Sequence, residues 1–134
     1  MNSLTFIRRL FETEEQYNDA LYVLSARRTS KPKFVILYGT GANGKTLLMQ
    51  LHCNTFKNSY RLKLDTFPES VVYILEQNMF LAESNVLISS IEIDADVYQI
   101  QFPKVFDHES RDTSLGDYIK DSNVIRQYKS LIGF

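Results

Sequence analysis

Residues 39–46 read Gly-Thr-Gly-Ala-Asn-Gly-Lys-Thr, a full G-x-x-x-x-G-K-[ST] pattern. No other stretch constrains the fold as strongly, because the pattern works only between a strand that ends where it begins and a helix that starts where it ends. Both flanks are in place. Phe34-Val35-Ile36-Leu37-Tyr38 is an apolar run of strand formers bounded by Pro32 and Gly39. It lacks alternation, which predicts a strand buried on both faces, as in a parallel sheet. Residues 45–57 follow as a predicted helix with Leu47, Leu48, Leu51 and Phe56 available for packing.

The residue types in the pattern have physical uses. Gly39, Gly41 and Gly44 permit backbone angles that aim successive N–H groups, including those of Thr40, Ala42 and Asn43, into a concave anion nest. The following helix adds its N-terminal partial charge. Lys45 would bridge the outer phosphates of a nucleotide, and the Thr46 hydroxyl would take one position on Mg²⁺. A glycine-rich turn that binds nothing needs neither side chain.

Around this unit, residues 4–28 read as helix in two pieces broken near Glu12–Thr13, with Thr13 and Gln16 spaced as a capping box. Arg61–Asp65 reads as a short strand. Thr66-Phe67-Pro68-Glu69 has the form of a helix start, predicting a helix to about Ala82 through Val72, Leu75, Met79 and Phe80. Asn85–Ser90 and Val97–Phe102 read as further strands, and Leu115–Gly133 as a final helix.

A chain of 134 residues with 44% apolar and 13% aromatic content suits one domain with a real core. Fifteen Lys+Arg against sixteen Asp+Glu exclude a uniformly basic nucleic-acid binder, though not a local patch such as Arg27, Arg28, Lys31 and Lys33. A solvated loop accounts for that cluster equally simply. The single Cys53 excludes an intrachain disulfide and suits a reducing, intracellular compartment. No apolar run approaches the ~20 residues of a membrane span, and the first residues lack the apolar stretch of a secretory signal. His52 and His108 have no partners at metal spacing, so packing or exposed roles are expected. The tyrosines and phenylalanines show no repeated stacking pattern along the sequence, and core packing is expected of them.

The asparagine immediately before Gly44-Lys45-Thr46 makes the loop resemble that of superfamily 3 helicases, above all the primase-helicase ATPases of poxviruses, other large DNA viruses, and some phages and plasmids. Ile100-Gln101-Phe102-Pro103-Lys104-Val105-Phe106 is similar to the aliphatic strand and Phe-Pro that close the family's ATPase core. The resemblance implies an α/β fold: a P-loop NTPase core with a parallel sheet flanked by helices, preceded by an N-terminal helical segment. It divides a single domain into residues 1–32 (helical segment), 33–106 (nucleotide-binding core) and 107–134 (helical extension). It implies ATP and Mg²⁺ as cofactors and DNA replication as the setting. Single-stranded DNA, a homo-oligomer or a full-length helicase relative are the implied partners, in the host cytoplasm or nucleus if the protein is viral.

The family's acidic strand, which holds Mg²⁺ and polarises the attacking water, has two candidates. One is Val71–Leu75 followed by Glu76. The other, a better strand, is Asn85–Ile91 followed by Glu92 and Asp94. On the second reading Lys45, Glu92 and Asp94 are the catalytic residues, and Thr46 and Glu92 hold the metal. The same stretch also resembles the family's sensor strand, with Ser89 or Ser90 where an asparagine is usual. Residues 91–103 contain no Lys or Arg to serve as an arginine finger. The expectation is a shortened relative in which ATP binding outlasts turnover and turnover outlasts unwinding. The alternatives are a non-catalytic module and a small nucleoside or nucleotide kinase.

Overall fold

The computed structural model describes residues 5–25, 30–40, 44–64, 67, 70–88, 91–103 and 114–134. The fold is mixed α/β. Helices α1 (Thr5–Arg9) and α2 (Glu14–Leu24) precede strand β1 (Lys33–Tyr38), and α3 (Lys45–Thr55) follows it. Then come β2 (Ser59–Lys63), β3 (Ser70–Ile74), a 3₁₀ turn at Leu75–Gln77, β4 (Met79–Ser84) and β5 (Asp96–Gln101). Helices α4 (Ser114–Tyr118) and α5 (Ser122–Leu131) end the chain.

The five strands form one sheet in the order β2-β3-β4-β1-β5. Strand β1 is central and runs parallel to both β4 and β5. Phe34, Val35, Ile36 and Leu37 are fully buried, as the unalternating run predicts. Val35 and Leu37 face a core built with the helices, through Ile7, Leu24, Leu48, Leu51 and Tyr128. Phe34 and Ile36 face the other side, where irregular segments supply the cover through Leu64, Phe67, Ile88, Ile91 and Ile93. Among the described residues, then, the helices pack on one face of the sheet.

Two expectations from the sequence are corrected. Residues 70–84, which take in most of the helix predicted over 66–82, form a strand–turn–strand unit, and the sheet is mixed rather than parallel: β3 is antiparallel to both β2 and β4. A 3₁₀ turn and Asn78 are all that separate β3 from β4, and a parallel pair needs a crossover of a dozen or more residues. Asn78 makes the turn in the left-handed region, at φ 49° and ψ 53°, a conformation asparagine tolerates better than most residues. Val72, Met79 and Phe80, part of a helical spacing, are also compatible with two alternating strands. Val72, Ile74, Met79 and Leu81 face the helices, and Val71 and Ala82 face away. Thr66, Pro68 and Glu69 lie outside the described residues.

Elsewhere the local signals hold. Thr13 caps α2, accepting from the Gln16 amide at 3.1 Å while the Gln16 side chain accepts in return. The predicted last helix is two helices, divided where Asp121 caps α5 by accepting from Asn123 and Val124. The strand expected over 85–90 is not formed in residues 85–88, and Ser89 and Ser90 lie outside the described residues. Gln99 on β5 holds the Ile88 backbone instead, accepting from its N–H and donating to its carbonyl. No described helix is long and apolar enough to cross a membrane.

One buried polar chain ties the helices together. His52 on α3 is fully buried between the Tyr128 hydroxyl at 2.7 Å from Nδ1 and Gln77 Oε1 at 2.5 Å from Nε2. The Gln77 amide donates to the Leu24 and Ser25 carbonyls at the end of α2. The Lys33 ammonium, also buried, donates to the Val23 and Ser25 carbonyls, placing a cation at the negative end of that helix. The basic cluster of the sequence is thereby resolved in part. Lys33 serves the fold, Lys31 pairs with Asp94 at 3.3 Å, and Arg27 and Arg28 lie outside the described residues.

Candidate functional site

The 39–46 loop leaves the C-terminal end of the central strand. There the Gly39 amide donates to the Ser84 carbonyl at 3.1 Å, and the Phe102 amide to the Tyr38 carbonyl at 2.8 Å. Strands β1, β4 and β5 thus end side by side. Gly41, Ala42 and Asn43 lie outside the described residues. Gly44 is the N-cap of α3 at φ 85° and ψ 3°, a left-handed conformation in which a Cβ would be strained. Its carbonyl accepts the Leu48 amide at 3.1 Å, so the loop turns directly into the first turn of the helix.

Lys45, the first helical residue, is only 5% exposed. Its ammonium donates to the Gly39 carbonyl at 2.5 Å, spanning the loop from its last turn to its first residue. Burial lowers its pKa from the ordinary lysine value, and the Glu83 carboxylate works in the opposite direction. The Thr46 hydroxyl donates to Glu83 Oε2 at 2.8 Å.

Glu83 is the residue that sequence reasoning missed. It stands at the end of β4 opposite Leu37 of β1, on the face that carries α3. The preceding Met79-Phe80-Leu81-Ala82 is an apolar run that ends in an acid, a usable signal hidden by the helix predicted there. A hydroxyl and a carboxylate within hydrogen-bond distance, beside a helix N-terminus, form a donor set suited to a hard cation carrying phosphate oxygens.

The chain gives no significant match to any family model, curated protein or solved structure.

The acidic residues expected to complete the site lie elsewhere. Asp94 pairs with Lys31, and Asp96 two residues on is opposite Lys33, the first residue of β1. The Asp96 amide also donates to the Pro32 carbonyl. This is the end of the strands remote from the 39–46 loop. Glu92 is exposed in the segment leading to the same end. Neither Glu92 nor Asp94 is brought to Thr46. Glu76 sits in the 3₁₀ turn and accepts from the Asn58 amide at 3.1 Å. Among the described residues no three His, Cys, Asp or Glu side chains cluster as a metal site. A magnesium held mainly by phosphates and water needs only one or two carboxylates.

Proposed function

We propose that the chain is an ATP-binding P-loop domain of the superfamily 3 helicase type, with weak or partner-dependent hydrolysis linked to DNA replication. The observation that carries the reading is the pairing of Thr46 with Glu83 at the shared end of two parallel strands, directly after the glycine-rich loop. In this reading the loop amides and the α3 N-terminus cradle the phosphates. Lys45 turns from the Gly39 carbonyl to the outer phosphates. Thr46 and Glu83 take positions on Mg²⁺, in the role first expected of Thr46 and Glu92.

Binding is better supported than turnover for a chemical reason. A carboxylate that holds the metal leaves the water to be polarised by another group. The residue after Glu83 is Ser84, whose hydroxyl is engaged with the Val86 backbone, donating at 2.8 Å and accepting at 3.2 Å. That engagement favours, as second reading, a module that binds nucleotide without consuming it.

Titration with a fluorescent ATP analogue tests the site. Lys45→Ala is expected to weaken binding at least tenfold with the fold intact by circular dichroism. Glu83→Gln is expected to remove the gain in affinity that Mg²⁺ confers and to leave the metal-free component. Unchanged affinity in Lys45→Ala would sink the assignment. Sustained ATP turnover by the isolated chain would remove the second reading.

A further inference from the structure

Strand β2 is an edge of the sheet, and among the described residues no strand pairs with its outer side. Its inner side is bonded to β3. The Leu75 amide donates to the Asn58 carbonyl at 2.9 Å, one step outside the strand and in the same register. Backbone groups alternate between the two sides of an antiparallel strand, so Tyr60 and Leu62 bond inward to β3. The N–H and C=O groups of Ser59, Arg61 and Lys63 are left facing outward.

The side chains alternate as well. Tyr60 and Leu62 stand opposite Tyr73 and Val71, on the face turned away from the helices, and are 51% and 37% exposed. Arg61 and Lys63 stand opposite Val72 and Ser70, on the face that carries the helices. Burial raises the pKa of the Cys53 thiol on α3 and the Arg61 charge works against it, as expected of a guanidinium on that side. Both cations are exposed, neither forms a salt bridge among the described residues, and β2 carries no acidic residue. The open edge therefore has an apolar face and a cationic face. Cations on an edge strand guard against pairing between copies, and an antiparallel pairing here would set Arg61 and Lys63 beside their counterparts. Such a guard does not require Tyr60 and Leu62 to be exposed on the other face. The two faces together select an occupant of opposite charge on one side and apolar on the other.

We propose that the outer edge of β2 binds, by strand addition, an extended segment of a partner protein in which acidic and apolar residues alternate. Directly opposed residues share a face, so the acidic side chains meet Arg61 and Lys63 while the apolar ones lie beside Tyr60 and Leu62. The outward backbone groups of Ser59, Arg61 and Lys63 supply the ladder bonds, and the alternation of the two faces supplies the selectivity. A shift of one residue would turn the acids toward Tyr60 and Leu62, so the register is fixed as well. No residue of the 39–46 loop takes part, so the edge works whether or not the chain binds ATP.

The test is fluorescence anisotropy on the full chain with a labelled peptide of alternating glutamate and valine. Two N-methylated forms carry the methyl groups on the glutamate amides or on the valine amides. Only one set of amides can face β2, so one form should bind at least about tenfold more weakly than the other. Loss with the glutamate amides indicates antiparallel addition, and loss with the valine amides parallel addition. A peptide of the same composition, with glutamates and valines in separate blocks, should bind at least about fivefold more weakly. Arg61→Gln with Lys63→Gln should weaken binding about fivefold, and Tyr60→Ala about threefold. Both should leave the circular dichroism unchanged, because the side chains are exposed. Lys45→Ala should bind the peptide as the unaltered chain does, so failure of the ATP reading would not be mistaken for failure here. Absence of peptide binding, equal binding of the two N-methylated forms or of the block peptide, or unaltered binding by either β2 variant overturns the proposal. So does sedimentation showing a dimer that Tyr60→Ala abolishes while no peptide binds, since the edge would then belong to a second copy.

Discussion

Acidification should destabilise this protein through one imidazole. His52 is fully buried, and burial is the main cause that lowers its pKa from 6.5 to about 4, with the Lys33 charge adding to the effect and the Gln77 hydrogen bond opposing it. Its tautomer follows from its neighbours. The Gln77 amide nitrogen donates to two carbonyls, so Gln77 Oε1 accepts and His52 Nε2 must carry the proton. Nδ1 then accepts from the Tyr128 hydroxyl, whose own ionisation burial pushes far up. Because the folded pKa is the lower one, the unfolded chain binds more protons between pH 4 and 6.5. Stability contributed by the neutral ring is therefore complete above 6.5 and lost as pH falls through that window. The full gap corresponds to about 3 kcal/mol, of which about 2 kcal/mol is already lost at pH 5. Against a typical net stability of about 5–15 kcal/mol this is a large share. Urea unfolding at pH 7.5 and pH 5.0 measures it. His52→Gln, which keeps a donor and an acceptor but cannot titrate, should be less stable at pH 7.5 and lose about 2 kcal/mol less than the unaltered chain on acidification. Equal losses in the two proteins would refute the reasoning, as would a proton-NMR titration placing the His52 midpoint near 6.5.

Three smaller predictions concern the turns and caps of the fold. Gly44→Ala places a Cβ in a left-handed conformation and should cost about 1–2 kcal/mol in chemical denaturation. Asn78→Ala should cost about 1–2 kcal/mol by adding strain and leaving the Tyr73 hydroxyl without its acceptor, whereas Asn78→Gly should cost less because the backbone angle is then unstrained. Thr13→Ala removes the cap of α2 and should lower the urea midpoint by the equivalent of about 1 kcal/mol, with ATP affinity unaffected.

What could be read in the sequence is what is encoded locally. The strand at 34–38, the helix after Lys45, the break at Thr13 and its capping box all depend on neighbours a few residues apart, and each is in the structure. The 70–84 segment failed for an identifiable reason. Its apolar residues fit either period, and the Thr66-to-Glu69 signal tipped the choice toward helix, while the decisive Asn78 turn carries no glycine or proline to announce it. His52 was unreadable for another reason. Its partners Gln77 and Tyr128 are distant in sequence, and nothing in a lone helical histidine names them. The pairing of Tyr60 with Tyr73 is of the same kind, since the two meet only through strand register.

Register also explains why the error over 70–84 carried the acidic residue with it. Side chains alternate along β4, so Leu81 and Glu83 face α3 while Phe80 and Ala82 face away. A slip of one residue between β1 and β4 would send Glu83 to the far face and put Ser84 or Ala82 beside Thr46. The slip is opposed at the other end of the same strands, where the Lys33 amide donates to the Asn78 carbonyl and Phe34 stacks on Phe80. The turn at Asn78 and the pairing at Lys33 therefore position a carboxylate a full strand length away, at Thr46. Only one carboxylate is delivered by this arrangement, and Ser84 follows it with its hydroxyl already committed to Val86. On the proposed reading this site would hold a metal-bound nucleotide, and with Glu83 the one carboxylate that hydrogen-bonds Thr46 among the described residues, holding should exceed hydrolysis.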